Sequence, residues 1–294
     1  MSKTATHKYL RPEDIRRLDA YAFAPKAVAE GYLSGRHRSR SRGPSTEFHD
    51  YRQYVPGDDP AFIDWRVFAR TDRHYLRTFE QESNTECHIL LDSSASMGFG
   101  EPANKLEFAS YFAAALAYLV IRKGDRVSLT TFDEAPREFF PPGSTRAHLD
   151  GILDTLERNT PGSKTSASAV LDKALPLLKR RGSLVVISDF FDSPEQIFTS
   201  LAPYLHRGFR VHLFQVLDPT ELELGARGLA TIEDMETGRR LVAHGPSLRD
   251  AYREAIRGHI ASIRTLAAAR SIDHMLARTD RSHFALFDHL TESA

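Results

Sequence analysis

From residue 87 onward the apolar positions fall into two kinds of run, and the two kinds alternate. His88-Ile89-Leu90-Leu91-Asp92 and Ser183-Leu184-Val185-Val186-Ile187-Ser188-Asp189 are short apolar runs, each ending in an acid. Runs of this length and composition predict buried strands. Between them, Phe108, Tyr111, Phe112, Ala115, Leu116, Leu119 and Val120 recur at helical spacing, and Gly124 ends the helix. Val127 to Phe132 reads as a second strand and Arg137 to Phe140 as a third, an antiparallel edge strand. Helices are predicted from about Arg146 to Leu156 and from about Ser166 to Leu178, and a third begins at Ser193-Pro194-Glu195, with Ser at the cap and Pro in the first turn. Phe209 to Val216 is a strand, Thr231 to Val242 a hairpin turning at Glu236-Thr237-Gly238, Leu248 to Ala268 an amphipathic helix, and Ile272 to Ala277 a last strand. This alternation predicts an α/β fold: a doubly wound, mostly parallel sheet with helices on its faces.

Before residue 87 the chain is polar, rich in arginine and aromatics, and weakly periodic. The change divides it into an N-terminal module, residues 1–86, and an α/β domain, residues 87–294. Trp65, Tyr51, Tyr54 and Tyr75 are expected to pack the smaller, β-containing module onto the sheet, since aromatics dominate small cores.

Composition narrows the function classes. Hydrophobic residues make up 41% of the 294, enough for a full core. Lys+Arg and Asp+Glu both total 39, which argues against nucleic acid as the main partner. The single cysteine, Cys87, has no partner for a disulfide within the chain and is expected as a small core residue in a reducing compartment. The first residues, Met1 to Lys8, lead into polar sequence without an apolar signal core, and the longest apolar stretch, Phe108 to Ile121, falls short of the ~20 residues a bilayer span needs. A cytoplasmic protein is expected.

The acid-tipped strands carry the candidate chemistry. Asp92, Ser94 and Ser96 form a D-x-S-x-S pattern after a predicted strand and before a helix. In open α/β sheets ligands bind beyond the carboxyl ends of the strands, at the switch point. A hard cation such as Mg²⁺ takes oxygen ligands and usually keeps some waters. Hydroxyls add no charge, so the ion would keep net positive charge toward an open position and accept an external carboxylate. Asp189, at the tip of the second strand, and Thr165, in the loop Gly162-Ser163-Lys164-Thr165-Ser166, are placed to complete the shell. Asp192 competes for the role of Asp189, and Thr160, Ser166 and Ser168 for that of Thr165. Taken alone, the same loop is also a turn with helix-capping hydroxyls.

Asp92-x-Ser94-x-Ser96, then Thr165, then Asp189 resembles the five-part metal-ion-dependent adhesion site of von Willebrand factor A domains. The N-terminal block adds Tyr51-Arg52-Gln53-Tyr54-Val55-Pro56-Gly57-Asp58-Asp59, Ile63-Asp64-Trp65, Ala69-Arg70 and Tyr75-x-Arg77-x-Phe79-x-x-Glu82. Together these resemble a bacterial family of A-domain-like proteins of uncharacterised function that accompany MoxR-type AAA+ ATPases. The likeness covers roughly residues 30 to 290. It implies a von Willebrand factor A-like sheet, Mg²⁺ or Mn²⁺ at Asp92, Ser94, Ser96, Thr165 and Asp189, and a protein partner that supplies an acidic residue to the metal. It further implies an adaptor or co-chaperone role beside a MoxR-type ATPase. The oxygen set stands without a catalytic set, so no enzyme activity is expected. Lys164 departs from the Gly-Thr usual at the threonine corner, and its ammonium would weaken cation binding if it faced the pocket.

Other chemistries find less support. An aspartyl phosphatase built on Asp92 would want a second acid two residues on, where this chain has Ser94, and no G-x-S-x-G elbow is present. Gly162-Ser163-Lys164-Thr165 ends like a P-loop, but Arg158 and Ser163 stand where glycines are needed. The thirteen histidines show no H-E-x-x-H spacing, which disfavours zinc. Arg36, Arg38, Arg40 and Arg42 are a solvated loop or a site for an acidic or nucleic-acid partner. Asp58, Asp59 and Asp64 read as a turn with ion pairs.

Overall fold

The computed structural model describes residues 7–19, 47–54, 63–80, 85–162, 166–224, 229–233 and 240–292. They belong to two compact units, one of residues 33–84 and one of residues 1–32 together with 85–294. The Arg36–Arg42 stretch, Asp58 and Asp59 lie outside the described residues.

The chain opens with helix α1 (Pro12–Leu18), part of the larger unit. Tyr9, Leu10 and Leu18 are buried in that unit's core, and Arg122 reaches Asp19 at 2.5 Å. Apolar side chains therefore tie residues 7–19 to the α/β body although the surrounding sequence is polar. The smaller unit contains strands β1 (Glu47–Gln53) and β2 (Tyr75–Glu80), paired antiparallel, with helix α2 (Trp65–Thr71) between them in sequence. Asp64 is the N-cap of α2: its carboxylate accepts from the amides of Arg66 and Val67 at 2.9 and 3.4 Å. The acid in Ile63-Asp64-Trp65 is thus a helix cap. Trp65 and Phe68 gather around His74, with Phe68 stacked on the imidazole.

The larger unit then runs β3 (Glu86–Asp92), α3 (Lys105–Arg122), β4 (Arg126–Phe132), β5 (Pro136–Gly143), α4 (Arg146–Arg158), α5 (Ala167–Ala174), β6 (Gly182–Ser188), α6 (Pro194–His206) and β7 (Arg210–Leu217). It closes with α7 (Pro219–Glu223), β8 (Leu229–Glu233), β9 (Arg240–His244), α8 (Gly245–Ala268), β10 (Asp273–Arg278) and α9 (Ala285–Glu292). Six strands form one sheet in the order β10-β7-β6-β3-β4-β5. All neighbours are parallel except β5, which runs antiparallel to β4 at the edge. Strand β5 carries Pro136, Pro141 and Pro142 among its eight residues. Strands β8 and β9 pair antiparallel, with Thr231 opposite Val242; the turn between them lies outside the described residues.

Period-two alternation sends successive strand residues to opposite faces. Cys87, Ile89 and Leu91 of β3 join one core with α1, α3, α4 and α9. Leu90 joins the other with α5, α6 and α8. This is the doubly wound, mostly parallel α/β sheet that the alternating runs predict. Burial on α3 is wider than its apolar stripe, because Ala109, Ala113, Ala114 and Ala117 are also enclosed. Small side chains admit neighbours on the flanks of the helix. Cys87 is fully buried, which pushes its thiol up to about 12. Among the described residues no helix is long and apolar enough to cross a membrane.

Winding reverses at β3. The chain leaves it toward β4 on one side and returns through β6 on the other. The crevice beyond the carboxyl ends of β3 and β6 is therefore the switch point of the sheet. Glu86 pairs with Gly182 and Leu91 with Ile187, so this register brings the acid tips of both strands to the same edge.

Candidate metal centre

Asp92 is the last residue of β3 and is completely buried. Its Oδ1 accepts the Ser94 amide at 2.8 Å, an Asx turn that bends the chain sharply at the sheet edge. Ser94 then caps a 3₁₀ turn, Ala95–Gly98, and the Ser94 and Ser96 hydroxyls meet at 3.0 Å. Ser93 faces the other way. Its amide donates to the Phe132 carbonyl at 2.7 Å, its carbonyl accepts the Gly162 amide at 2.6 Å, and its Oγ accepts Asn159 Nδ2 at 2.8 Å. The odd and even serines thus divide the work, with Ser93 anchoring the loop and Ser94 and Ser96 left beside Asp92.

Asp189 follows β6 and is also completely buried. Ser188, the preceding residue, donates its hydroxyl to Asp92 Oδ2 at 2.5 Å and accepts the Phe190 amide at 2.9 Å. Phe190 adopts a left-handed backbone, φ 55°, and its ring is buried. The turn returns the Phe191 amide to Asp189 Oδ1 at 3.3 Å, while Gln215 Nε2 donates to the Asp189 carbonyl at 3.1 Å. Ser188 is thus the stitch between the two acid tips.

Burial, and after it the charge of Asp189, push the Asp92 carboxyl up to about 7; the Ser188 and Ser94 hydrogen bonds pull the other way. Two enclosed carboxylates that repel each other, beside two hydroxyls, form a hard-oxygen donor set. The residues fit a divalent cation of the Mg²⁺ or Mn²⁺ kind, whose charge would relieve that repulsion. Among the described residues no group of three or more His, Cys, Asp or Glu side chains is arranged to hold a metal.

A cation of the protein itself is part of the surroundings. Lys105, the first residue of α3, has a fully buried side chain. Its Nζ donates to Asp189 Oδ2 at 2.8 Å and to Glu221 Oε1 at 2.6 Å. The Phe191 ring lies 5.1 Å from the ammonium. Burial pulls the Lys105 pKa down, and the charges and hydrogen bonds of Asp189 and Glu221 more than reverse this, leaving it above its ordinary value. Glu221 is fixed in turn, its Oε2 accepting the Asp218 amide at 2.8 Å in the capping box of α7.

Of the sequence-derived ligands, Asp92, Ser94 and Ser96 are linked directly, and Asp189 joins them through Ser188 and through its charge. Thr165 lies outside the described residues, as do Ser163 and Lys164. The flanks of that segment are held near the site, Gly162 to the Ser93 carbonyl and the Ser166 amide to the Asp133 carbonyl at 3.4 Å. Gly162 is closely packed: a Cβ would lie 2.5 Å from Asp133 Oδ2, which would have to move, and 3.2 Å from the Ser93 carbonyl. Asp192 accepts from the Ser168 hydroxyl at 3.3 Å and from the Ser193 amide at 2.8 Å, which engages it at the start of α5. Sequence reasoning missed Ser188, Lys105, Glu221 and Asn159. Only Lys105 left a signal, standing three residues before Phe108 and seven before Phe112, on the apolar stripe of its helix.

Comparison with known proteins adds the following. A family model described as "Protein of unknown function DUF58" matches residues 50–262. An uncharacterized protein of Mycobacterium tuberculosis and one of Mycobacterium bovis are each 30% identical over 265 residues, 88% of this chain and 83% of the relative. Among solved structures, the conserved hypothetical protein BatB from Bacteroides thetaiotaomicron is 17% identical at a TM-score of 0.46, covering 71% of this chain and 98% of BatB. The SpRpn10 VWA domain is 11% identical at a TM-score of 0.45, covering 71% of this chain and 95% of that domain.

Proposed function

The chain belongs to the DUF58 family, and from that footing we propose that it is a metal-dependent protein-interaction module. Asp92, Ser94, Ser96, Thr165 and Asp189 are the residues that hold Mg²⁺ or Mn²⁺, directly or through water. The observation that carries this reading is the convergence of two fully buried carboxylates, Asp92 and Asp189, at the switch point beside the paired hydroxyls of Ser94 and Ser96. Neither carboxylate has solvent to stabilise its charge. Lys105 pairs with Asp189, and a divalent ion is the further cation proposed to balance the two carboxylates. When bound, a divalent ion would supply net positive charge and an open coordination position, to which a partner's carboxylate can bind. The chain's own residues orient the donors, exclude water from Asp92 and Asp189, and perform no reaction. The partner in this reading is a MoxR-type AAA+ ATPase or its client, with the chain as adaptor or co-chaperone; that link rests on the family resemblance of the N-terminal block.

The test is capture of a purified MoxR-type ATPase from the same organism by the immobilised full chain. Capture is expected with Mg²⁺, and is expected to be lost with chelator and with Asp92→Ala whose fold is intact by circular dichroism. Equal capture in all three conditions overturns the reading.

A further inference from the structure

A lysine at the position of Lys105 breaks two local rules. A cation at the first residue of a helix opposes the positive end of the helix dipole. A fully buried ammonium loses its hydration, which only good charge pairing offsets. Both costs are met in one place: the ammonium is fully buried between Asp189 and Glu221. Asp189 is itself one of the two carboxylates of the candidate metal centre. Each of its carboxylate oxygens already accepts a donor of the protein, Oδ2 from Lys105 and Oδ1 from the Phe191 amide. Asp92 accepts the Ser94 amide and the Ser188 hydroxyl. Asp189 therefore shares its charge with an internal cation.

We propose that Lys105 is a built-in counter-cation and positioning residue for the centre, one that fixes Asp189 and lowers the affinity of the centre for a divalent ion. This rests on the metal reading above. In this arrangement the ion alone is held weakly, and the carboxylate of a partner, by adding negative charge, raises the affinity. Glu221 sets how strongly the lysine acts. It draws off part of the ammonium's charge, and it is anchored by the Asp218 amide so that the lysine keeps one geometry.

Two substitutions are expected to shift cation affinity in opposite directions. Lys105→Met removes the positive charge while keeping an unbranched side chain of similar length. Mn²⁺ affinity then rises roughly tenfold or more, because the positive charge that competes with the ion at Asp189 is gone. Glu221→Gln keeps the lysine and an acceptor for it but removes the negative charge beyond it, and affinity falls by roughly threefold or more. A residue that served packing alone would loosen the site in both variants. The experiment is Mn²⁺ binding by the full chain, followed as free Mn²⁺ by electron paramagnetic resonance, with folding checked by circular dichroism and Asp92→Ala as the control. Binding that is absent, or unchanged by Asp92→Ala, overturns the metal reading and this inference with it. Binding that depends on Asp92 but moves in the same direction, or not at all, in the two variants overturns only the role of Lys105. If Lys105→Met does not fold, Glu221→Gln decides alone, and unchanged or tighter binding in it is the overturning result.

Discussion

Asp92 sits where burial and the charge of Asp189 both oppose its ionisation, which pushes its carboxyl up to about 7. Its carboxyl stands above its unfolded value of 3.8. The stability this contributes is complete below that value and is lost as pH rises through about 7. Asp92→Asn, which cannot ionise, is therefore expected to gain on the unaltered protein between pH 4 and pH 8 in chelator. Urea denaturation at both pH values checks it, and a pH-independent difference between the two proteins would refute it. In the proposed metal reading Mn²⁺ competes with the same proton, and its binding is expected to weaken as pH falls below 7. At this scale the sequence was informative where the candidate residues are local. Asp92, Ser94 and Ser96 form their own turn, and Asp189 ends a strand with the same signature. It was silent on Ser188, Lys105 and Glu221, because their partners lie 96, 84 and 116 residues away in the chain. Only the fold brings counter-charges together over such separations.

At the scale of elements, the close approach of β3 and β6 aligns the acid tips. Strand β6 begins at Gly182, where a Cβ would fall within 1.9 Å of the Glu86 carbonyl oxygen of β3. The obstacle is backbone, which cannot rotate away. Gly182→Ala is expected to force the two strands apart at that end and to cost about 2–4 kcal/mol, read as a lower denaturant midpoint with an unchanged slope. An unaltered midpoint would mean that the strands part freely. The main strands and the long helices were legible in the sequence because each carries a full period of apolar residues. Helices α1, α2 and α7 were not, since they are seven, seven and five residues long, too short to display a period. Their signals are capping residues instead: Asp64 before α2, and Asp218 with Pro219 and Glu221 in α7. The winding reversal at β3 also has no local signature, because strand order is a property of the assembled sheet.

For the molecule as a whole, a ligand that binds only the folded state stabilises it by mass action. At a hundredfold excess over its dissociation constant, Mn²⁺ is expected to add about 2.7 kcal/mol. For a unit of this size that raises the thermal midpoint by roughly 5–10 °C. Differential scanning calorimetry of the full chain should show the rise, and Asp92→Ala should show none. A rise retained in that variant would mean that the ion acts elsewhere.

The edge strand β5 bears on a different hazard. An open sheet edge offers a row of backbone amides and carbonyls with which another chain can pair, the route by which β-proteins aggregate. Pro136, Pro141 and Pro142 leave three of the eight residues of β5 with no N–H to offer, and Arg137 and Glu138 place opposite charges along the same short strand. A second polypeptide aligning there would meet an interrupted ladder and a charged border. At this border the sheet carries its own protection against uncontrolled growth, and crowding at high concentration would find little purchase on it.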